Sequence, residues 1–331
     1  MQLLDRGVLR HLRRKGNVLM SDRVLVTGAN GCIGAWVVKL LCAEGTEVIA
    51  FDKSTDDHRH RLINDGDVPD VKRVVGDLTV QQDVIDAAAG TSHIVHLAAL
   101  QVPFCRANPA EGAAVNVTGT VNVFEAAKRH GVTQISQASS IAVFGTSTDY
   151  DDRIIPSDAR RLPTTLYGVY KVATEDLAAV YWAEHEVRSV CLRPHTVFGP
   201  GRDQGMTSLP SVAIEHAVRR EPFHIDFGGS LDFQLASDVA AAFIHAMRVD
   251  IIGAPTFNLG GTCTTVAEFV ETTKAVTGFD QITSGGPPLP VIEGVDASDW
   301  FLRAGGPAPT PLREAIEISA STFAPRGTEL P

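Results

Sequence analysis

Tyr167 and Lys171 are the two residues of this chain whose types and spacing point most directly to chemistry. They stand four positions apart in Leu-Tyr-Gly-Val-Tyr-Lys-Val-Ala, and side chains at positions i and i+4 of a helix lie on the same face. A lysine ammonium beside a phenol favours phenolate, so it lowers the pKa of the tyrosine from its usual ~10. Such a tyrosine can act as a general acid or base near neutral pH. Because the same spacing also occurs on solvent-exposed helices, the prediction depends on the surrounding elements.

A glycine-rich loop upstream predicts a nucleotide-binding site. An apolar run from Arg23 to Thr27 predicts a strand, Ala35 to Glu44 predicts a helix, and Gly28-Ala-Asn-Gly31-Cys-Ile-Gly34 lies between them. Because glycine has no Cβ, the backbone N–H groups of this loop and the helix N-terminus can approach a pyrophosphate. The order of strand, loop and helix makes a purely packing role for these glycines the weaker interpretation.

Asp52 indicates which dinucleotide the loop binds. It ends a second predicted strand, 46–51, about twenty residues after the glycine loop, where a carboxylate accepts hydrogen bonds from the adenosine ribose hydroxyls. A 2′-phosphate at this position would meet like charge, and no arginine follows within the turn. The sequence therefore predicts NAD rather than NADP.

Strands and helices continue to alternate along the chain. Further strands are predicted at 72–75, 92–96, 134–138 and 186–192, and further helices at 80–89, 109–130 and around Tyr167. This alternation predicts an α/β fold, a Rossmann-type doubly wound parallel sheet that binds ligands at the carboxyl ends of its strands. Four candidate site residues follow predicted strand ends: Asp52, Asp77, Ala98 and Ser140.

The chain is predicted to contain one nucleotide-binding domain and a smaller, interleaved region. Residues 21–193 form the NAD-binding domain, which also carries the serine, tyrosine and lysine. From 194 to 331 prolines and glycines become frequent, and this stretch is predicted to be mainly a substrate-binding region, with 237–248 returning to the first domain as a helix. Residues 1–20 are basic and lack the continuous apolar core of a secretory signal, so they are predicted to be a disordered extension.

Composition excludes several classes of function. The 331 residues are 44% hydrophobic and 21% charged, as in an ordinary globular protein. A net charge of −10 disfavours a nucleic-acid partner, and no apolar run approaches the ~20 residues that span a bilayer. The five scattered cysteines form no Cys-x-x-Cys pair, which predicts a reducing, cytoplasmic location without disulfides or a metal site.

With these pieces in order, the sequence resembles the extended short-chain dehydrogenase/reductases, the NAD-dependent epimerase/dehydratase family, over nearly everything from Arg23 onward. The motifs that carry the resemblance are Thr-Gly-x-x-Gly-x-x-Gly, the strand end at Asp52, Gly76-Asp77-Leu78, His96-Leu-Ala-Ala99, Asn116-Val-Thr-Gly119, Ser139-Ser140-x-x-x-Phe-Gly145, Tyr167-x-x-x-Lys171 and Arg193-Pro-x-x-Val-Phe-Gly-Pro-Gly201.

The resemblance implies a role for each matching position. Tyr167 exchanges a proton with the substrate, Lys171 lowers its pKa and holds the nicotinamide ribose, and Ser140 hydrogen-bonds the same substrate oxygen. Tyr167, Lys171 and these further residues are expected to bind NAD: Gly28, Asn30, Gly31, Cys32, Ile33, Gly34, Asp52, Lys53, Asp77, Leu78, Leu97, Ala98, Ala99, Asn116, Pro194 and His195. The residues expected to bind substrate are Gln101, Ser140, Thr196 and Arg202.

Some of these residues also have structural interpretations. Asn116 more often ties the sheet edge to the active-site loop in such folds, and Ser139 is expected to be structural. His96 is expected to be a packed core histidine. Arg202 is equally compatible with binding an anionic group and with a surface position.

Three positions depart from the pattern of family members that act on nucleotide-diphosphate sugars. Thr196 stands where those proteins usually have asparagine, Leu231 lies close to a usual arginine, and Gln101 stands where a lysine is common. A leucine cannot replace the bidentate hydrogen bonds of an arginine to phosphate. The sequence therefore favours a dehydrogenase that acts on a small sugar, sugar acid or polyol.

Two alternatives remain beside this interpretation. One is a nucleotide-sugar 4-epimerase resembling UDP-glucose 4-epimerase, in which the hydride returns to the opposite face and NAD stays tightly bound. The other is a catalytically silent NAD-binding scaffold, which would show no turnover with any alcohol. Relatives often dimerise through the helices that contain Asn116 and Tyr167, so a homodimer is expected.

Overall fold

The computed structural model describes residues 22–324, so the basic segment 1–20 lies outside the described residues. The described strands are β1 (Arg23–Thr27), β2 (Glu47–Asp52), β3 (Lys72–Val75), β4 (His93–His96), β5 (Gln134–Ala138), β6 (Ile154–Ile155), β7 (Ser189–Arg193), β8 (Thr196–Phe198), β9 (Phe223–Ile225), β10 (Ser230–Leu235), β11 (Thr256–Asn258), β12 (Thr262–Thr265), β13 (Ile282–Ser284) and β14 (Gly294–Val295).

Helices connect these strands. The α-helices are α1 (Cys32–Ala43), α2 (His58–Ile63), α3 (Gln81–Ala87), α4 (Val102–Ala107), α5 (Pro109–Ala113), α6 (Gly119–His130), α7 (Leu166–His185), α8 (Leu209–Val218), α9 (Ala236–Arg248), α10 (Val266–Thr277), α11 (Ser298–Ala304) and α12 (Leu312–Phe323). A π-helical turn, Ala114–Thr118, joins α5 to α6, and short 3-10 helices cover Ile141–Val143 and Ser147–Asp149.

Seven parallel strands form the main sheet, in the order β11-β7-β5-β4-β1-β2-β3. Side chains alternate between its faces along β1. Val24 and Val26 pack against α1 and α9 on one face. Leu25 packs against α3, α6 and α7 on the other. The predicted doubly wound α/β fold is therefore confirmed.

The seventh strand was not predicted in this sheet. β11 lies within the stretch that the sequence assigned to the smaller region, yet it pairs with β7 in parallel. The residue before β11 is also bonded to β7, because Cys191 donates its N–H to the carbonyl of Pro255 at 2.9 Å. Three residues are too few to show a strand period, so only the neighbouring β7 reveals where this segment belongs. The other domain bounds stay a prediction.

The smaller region packs around its own aromatic core. β12, β10 and β8 form a three-stranded sheet, and the rings of Phe198, Phe233 and Phe269 lie against one another with centroids 4.6–6.2 Å apart. β6, within the stretch predicted to be the NAD-binding domain, pairs in parallel with β14, within the predicted substrate-binding region. This pairing carries the segment 289–292 towards the carboxyl edge of the main sheet.

Two helices matter most for the site. α7 begins after Thr165, whose side chain accepts the N–H of Gly168 at 3.0 Å and so caps the helix. The predicted helix 109–130 is present, but the π-helical turn inserts an extra residue in its middle. Hydrophobic periodicity does not show such an insertion, since the chain remains helical on both sides.

The core position of Phe243 gives a stability prediction. Its side chain is fully buried between α9 and the sheet, so Phe243→Ala should lower the free energy of unfolding by about 3–5 kcal/mol. Phe301→Ala is the matched control, because that ring is 37% exposed and its loss should cost at most about 1 kcal/mol. Chemical denaturation measures both values, and equal losses would contradict this description of the core.

Candidate functional site

A cavity of ≈ 560 Å³ opens at the carboxyl ends of the main-sheet strands. Its walls include every residue that the sequence analysis assigned to cofactor, substrate or catalysis, with the exception of Asn116. The glycine loop lies on one side and the segment 289–291 on another. Strand ends that are far apart in sequence thus meet at one site, as the parallel sheet requires.

Close backbone contacts shape the glycine loop. Gly28 has φ +70°, and a Cβ there would lie 2.7 Å from the backbone nitrogen of Ala98. A Cβ on Gly34 would lie 2.0 Å from the carbonyl oxygen of Gly28. Helix α1 begins at Cys32 without a side-chain cap, and its first three residues line the cavity. This cradle fits a pyrophosphate, which binds at uncapped helix N-termini.

Carboxylates at two neighbouring strand ends line the adjoining part of the cavity. Asp52 accepts the N–H of Asn30 on one oxygen and that of Ser54 on the other, both at 2.9 Å. Asp77 forms an ion pair with Lys53 at 2.8 Å. The Lys53 hydrogen bond is the main cause that lowers the pKa of Asp77 to about 2. Both carboxylates therefore lie beside the glycine loop, each held by its own hydrogen bonds or ion pair.

Ser140, Tyr167 and Lys171 converge in the cavity wall. Lys171 is 5% exposed and donates from Nζ to the carbonyl oxygen of Ala138 at 2.6 Å. Its Nζ lies 5.6 Å from the centroid of the Tyr167 ring. Burial lowers the pKa of Lys171 to about 8.

The electrostatics of Tyr167 differ from the sequence expectation. Lys171 was expected to lower the pKa of the phenol, but burial raises it above its usual value, and a hydrogen bond with Ser140 opposes that rise. The physical reason is desolvation, which disfavours phenolate where neighbouring charge is too distant to compensate. In this geometry Tyr167 is a protonated phenol held by Ser140.

Asn116 is not part of the cavity wall. Its side chain accepts the N–H of Leu100 at 2.7 Å and donates to the carbonyl of the same residue at 2.9 Å. These two bonds fix the loop after β4, so a direct cofactor contact is not supported. His96, at the end of that strand, is packed as expected, with hydrogen bonds to Thr27 and Thr120.

All four predicted substrate residues line the cavity, and His195 contacts one of them. His195 hydrogen-bonds Thr196 and the carbonyl of Ile292, both at 3.0 Å, and burial lowers its pKa to about 4. The Nε of Arg202 is buried without a hydrogen-bond partner among residues 22–324. Arg202 and Gln101 both lie against Gly205. Leu231, in contrast, is buried in the core of the smaller region.

An ion-pair cluster at the cavity rim was not found from the sequence. Arg59 donates to Asp203 at 2.5 Å and to the carbonyl oxygens of Asn30 and Gly201 at 3.1 Å. His58 joins the same carboxylate at 2.7 Å. His58 and Asp203 are 145 positions apart in the sequence, and no local pattern predicts that they meet. Only the fold brings them together.

Residues 22–324 lack the side-chain clusters and the helices that two further classes of site require. This part of the chain contains no group of three or more histidine, cysteine, aspartate or glutamate side chains that could hold a metal ion. None of its helices is long and apolar enough to cross a membrane.

Comparison with known proteins extends this picture. The model of the NAD dependent epimerase/dehydratase family matches residues 24–260. UDP-glucose 4-epimerase from Mycolicibacterium smegmatis is 31% identical over 233 residues, which are 68% of this chain and 72% of that protein. The decarboxylating sterol-4-alpha-carboxylate 3-dehydrogenase of Bos taurus is 29% identical over 247 residues, 72% of this chain and 65% of that protein.

Solved structures agree with these similarities. MoeE5 in complex with UDP-glucuronic acid and NAD is 30% identical and superposes with a TM-score of 0.76, covering 91% of this chain and 98% of that one. The fold and the site define an NAD-dependent enzyme of the short-chain dehydrogenase/reductase class. The chain belongs to the NAD dependent epimerase/dehydratase family.

Asp52 provides a test of the cofactor site. Asp52→Ala should weaken NAD binding by roughly tenfold and reduce the preference for NAD over NADP, because the repulsion of a 2′-phosphate is lost. Asp70→Ala is the control, since this exposed carboxylate lies outside the cavity wall. Calorimetric titration with each dinucleotide measures the effect, and an unchanged preference in Asp52→Ala would contradict the assignment.

Proposed function

We propose that this protein transfers a hydride between NAD and a secondary alcohol or carbonyl of a small sugar, sugar acid or polyol. The observation that carries the proposal is the convergence of Ser140, Tyr167 and Lys171 in the same cavity as the glycine loop and Asp52. When bound, NAD supplies the hydride acceptor, and the protein supplies proton transfer and alignment.

Proton transfer is assigned to Tyr167. In the reducing direction the Tyr167 phenol donates its proton to the carbonyl oxygen and becomes phenolate. In the oxidising direction that phenolate takes the proton of the substrate hydroxyl and returns to the phenol. Ser140 donates a hydrogen bond to the same substrate oxygen, where negative charge develops. Lys171, held on the carbonyl of Ala138, supplies positive charge on the sheet side of the phenol.

The composition of the cavity supports a small polar substrate. Leu231 lies close to the position where nucleotide-sugar enzymes of this family usually have a diphosphate-binding arginine, and its side chain is buried in a hydrophobic core. Gln101 and Thr196 add neutral hydrogen-bonding groups to the wall, and Arg202 adds one guanidinium with a free buried Nε. Arg59 and Arg106 also line the cavity, and Arg59 is paired with Asp203. The unpartnered Nε of Arg202 suits a substrate carboxylate, which favours a sugar acid within this class.

A second candidate is a nucleotide-sugar 4-epimerase with tightly bound NAD. Its support is the similarity to UDP-glucose 4-epimerase and to MoeE5, which binds UDP-glucuronic acid and UDP-glucose with NAD. Within residues 22–324, the cavity wall contains three arginines that would attract a diphosphate, Arg59, Arg106 and Arg202. The silent scaffold is the weaker alternative, since all three candidate catalytic side chains are present.

Assembly and location are further parts of the proposal. A homodimer is proposed through the helices that contain Asn116 and Tyr167, since α7 exposes Leu166, Val169 and Val180, each at least 43% accessible. Light scattering after gel filtration tests the mass of the assembly. A cytoplasmic location stays a prediction that rests on the five free thiols.

Substitution of Tyr167 tests the proton-transfer role. Tyr167→Phe should lower kcat by ~10² or more while NAD affinity stays nearly unchanged, because the ring is kept and only the transferable proton is lost. Tyr170→Phe is the matched control, since its hydroxyl bonds the carbonyl of Pro109 instead. Full activity in Tyr167→Phe would overturn the mechanism.

A substrate panel separates the candidate reactions. With excess NAD, the protein is offered free sugars, sugar acids, polyols, UDP-glucose and UDP-glucuronate while NADH absorbance is recorded. The proposal predicts NADH formation with a free compound. If none of these compounds forms NADH, if NAD is retained through gel filtration and if the 4-hydroxyl of UDP-glucose is inverted, the epimerase is supported instead. Binding of NAD without any turnover would identify a scaffold.

A further inference from the structure

Glu175 lies behind the candidate catalytic residues and is buried with an arginine. It stands on α7, four residues after Lys171, so its side chain extends the same helix face. Arg193, the last residue of β7, donates to both carboxylate oxygens at 2.7 Å. The Arg193 and Glu175 side chains are only 4% and 3% exposed. A bidentate, charged pair of this kind holds both groups in one geometry.

Three consecutive residues at the end of β5 contact three side chains spaced one helical turn apart on α7. The pairs are Ala138 with Lys171 (2.6 Å), Ser139 with Glu175 (2.5 Å) and Ser140 with Tyr167. The Ser139 hydroxyl donates to Oε1 of the glutamate. Each residue of the strand end is therefore tied to one turn of the helix that carries the candidate acid/base pair.

Arg193 extends this network to two further residues, Ser157 and Phe144. Its Nη1 donates to the carbonyl of Ser157 at 2.7 Å, and its guanidinium lies 4.9 Å from the centroid of the Phe144 ring, which lines the cavity. Pro194 and His195, also in the cavity wall, follow directly in the chain. The pair thus connects α7 with the ends of both β5 and β7.

We propose that Glu175 is a positioning residue that, through Ser139 and Arg193, fixes Ser140 relative to Tyr167. The inference rests on the proposed function, in which those two side chains act on the substrate oxygen. Buried ion pairs contribute little net stability compared with apolar residues of the same size. Reactive groups, in contrast, lose roughly 10² in rate for a displacement of about 1 Å.

Ser139→Ala is the decisive variant, because it removes the bond to the strand end and leaves the two Arg193 bonds to the carboxylate intact. We expect kcat to fall roughly tenfold, with KM and the NAD dissociation constant within about twofold of the unsubstituted protein. The probe is the panel compound that gives the fastest NADH formation or, for an epimerase, UDP-glucose.

Arg161→Gln is the matched control. Arg161 contacts the other oxygen of Glu175 from the exposed side, at 3.3 Å, and does not contact Ser139. It should therefore leave kcat within about twofold. An unchanged kcat in Ser139→Ala, or an equal loss in Arg161→Gln, would overturn the positioning role.

Hydrogen–deuterium exchange of the NAD-loaded protein tests the same inference without a substrate. In Ser139→Ala the amides of residues 139–143 should exchange several-fold faster, because one anchor of the segment is gone; in Arg161→Gln they should not. Unchanged exchange in Ser139→Ala would contradict the inference. Activity in Tyr167→Phe would instead refute the proposed function, so the two failures are distinguishable.

A double substitution distinguishes a positioning role of the Glu175–Arg193 pair from a contribution of the pair to folding stability. Glu175→Leu combined with Arg193→Met replaces the pair with apolar side chains of similar volume, which buried sites tolerate without loss of the fold. The melting temperature and NAD affinity should be retained while kcat falls by ~10². Retained kcat in a folded double variant would overturn the proposal. If this variant does not fold, the Ser139→Ala results decide the question.

Discussion

Three backbone segments meet at Gly28, and the shape of the site depends on how closely they pack there. The first strand ends there, the loop after β4 passes within 2.7 Å of where a Cβ would stand, and the start of α1 packs against its carbonyl through Gly34. Only residues without side chains permit this contact. Because the loop can lie against the sheet edge, the first residues of α1 line the cavity that the carboxylates and α7 complete.

The elements that carry strong local signals were predictable from the sequence. The bounds of β1, β3 and β5 match the predicted bounds, since each strand ends directly before a glycine or a serine. The order of strands and helices then determines the doubly wound sheet, and the sheet places Asp52, Ala98 and Ser140 at one edge. Most of the cavity wall follows from that reasoning alone.

The features that were not predictable depend on contacts between distant residues. Arg59 meets Asp203 across 144 positions, and β11 shows its place only by pairing with β7. The direction of the Tyr167 pKa shift depends on how deeply the phenol is enclosed, which spacing along a helix does not reveal. Side-chain networks behind the site, such as that of Glu175, share this dependence on the completed fold.

The π-helical turn has a geometric consequence for the loops around the cavity. Asn116, within the turn, holds the loop after β4, whereas Asn122, on α6, donates to the carbonyl of Leu78 in the loop after β3. Each residue rotates an α-helix by about 100°, so deletion of one residue from Ala114–Thr118 would turn Asn122 away from Leu78. The extra residue acts as an angular offset that lets one continuous helix support two loops lying in different directions.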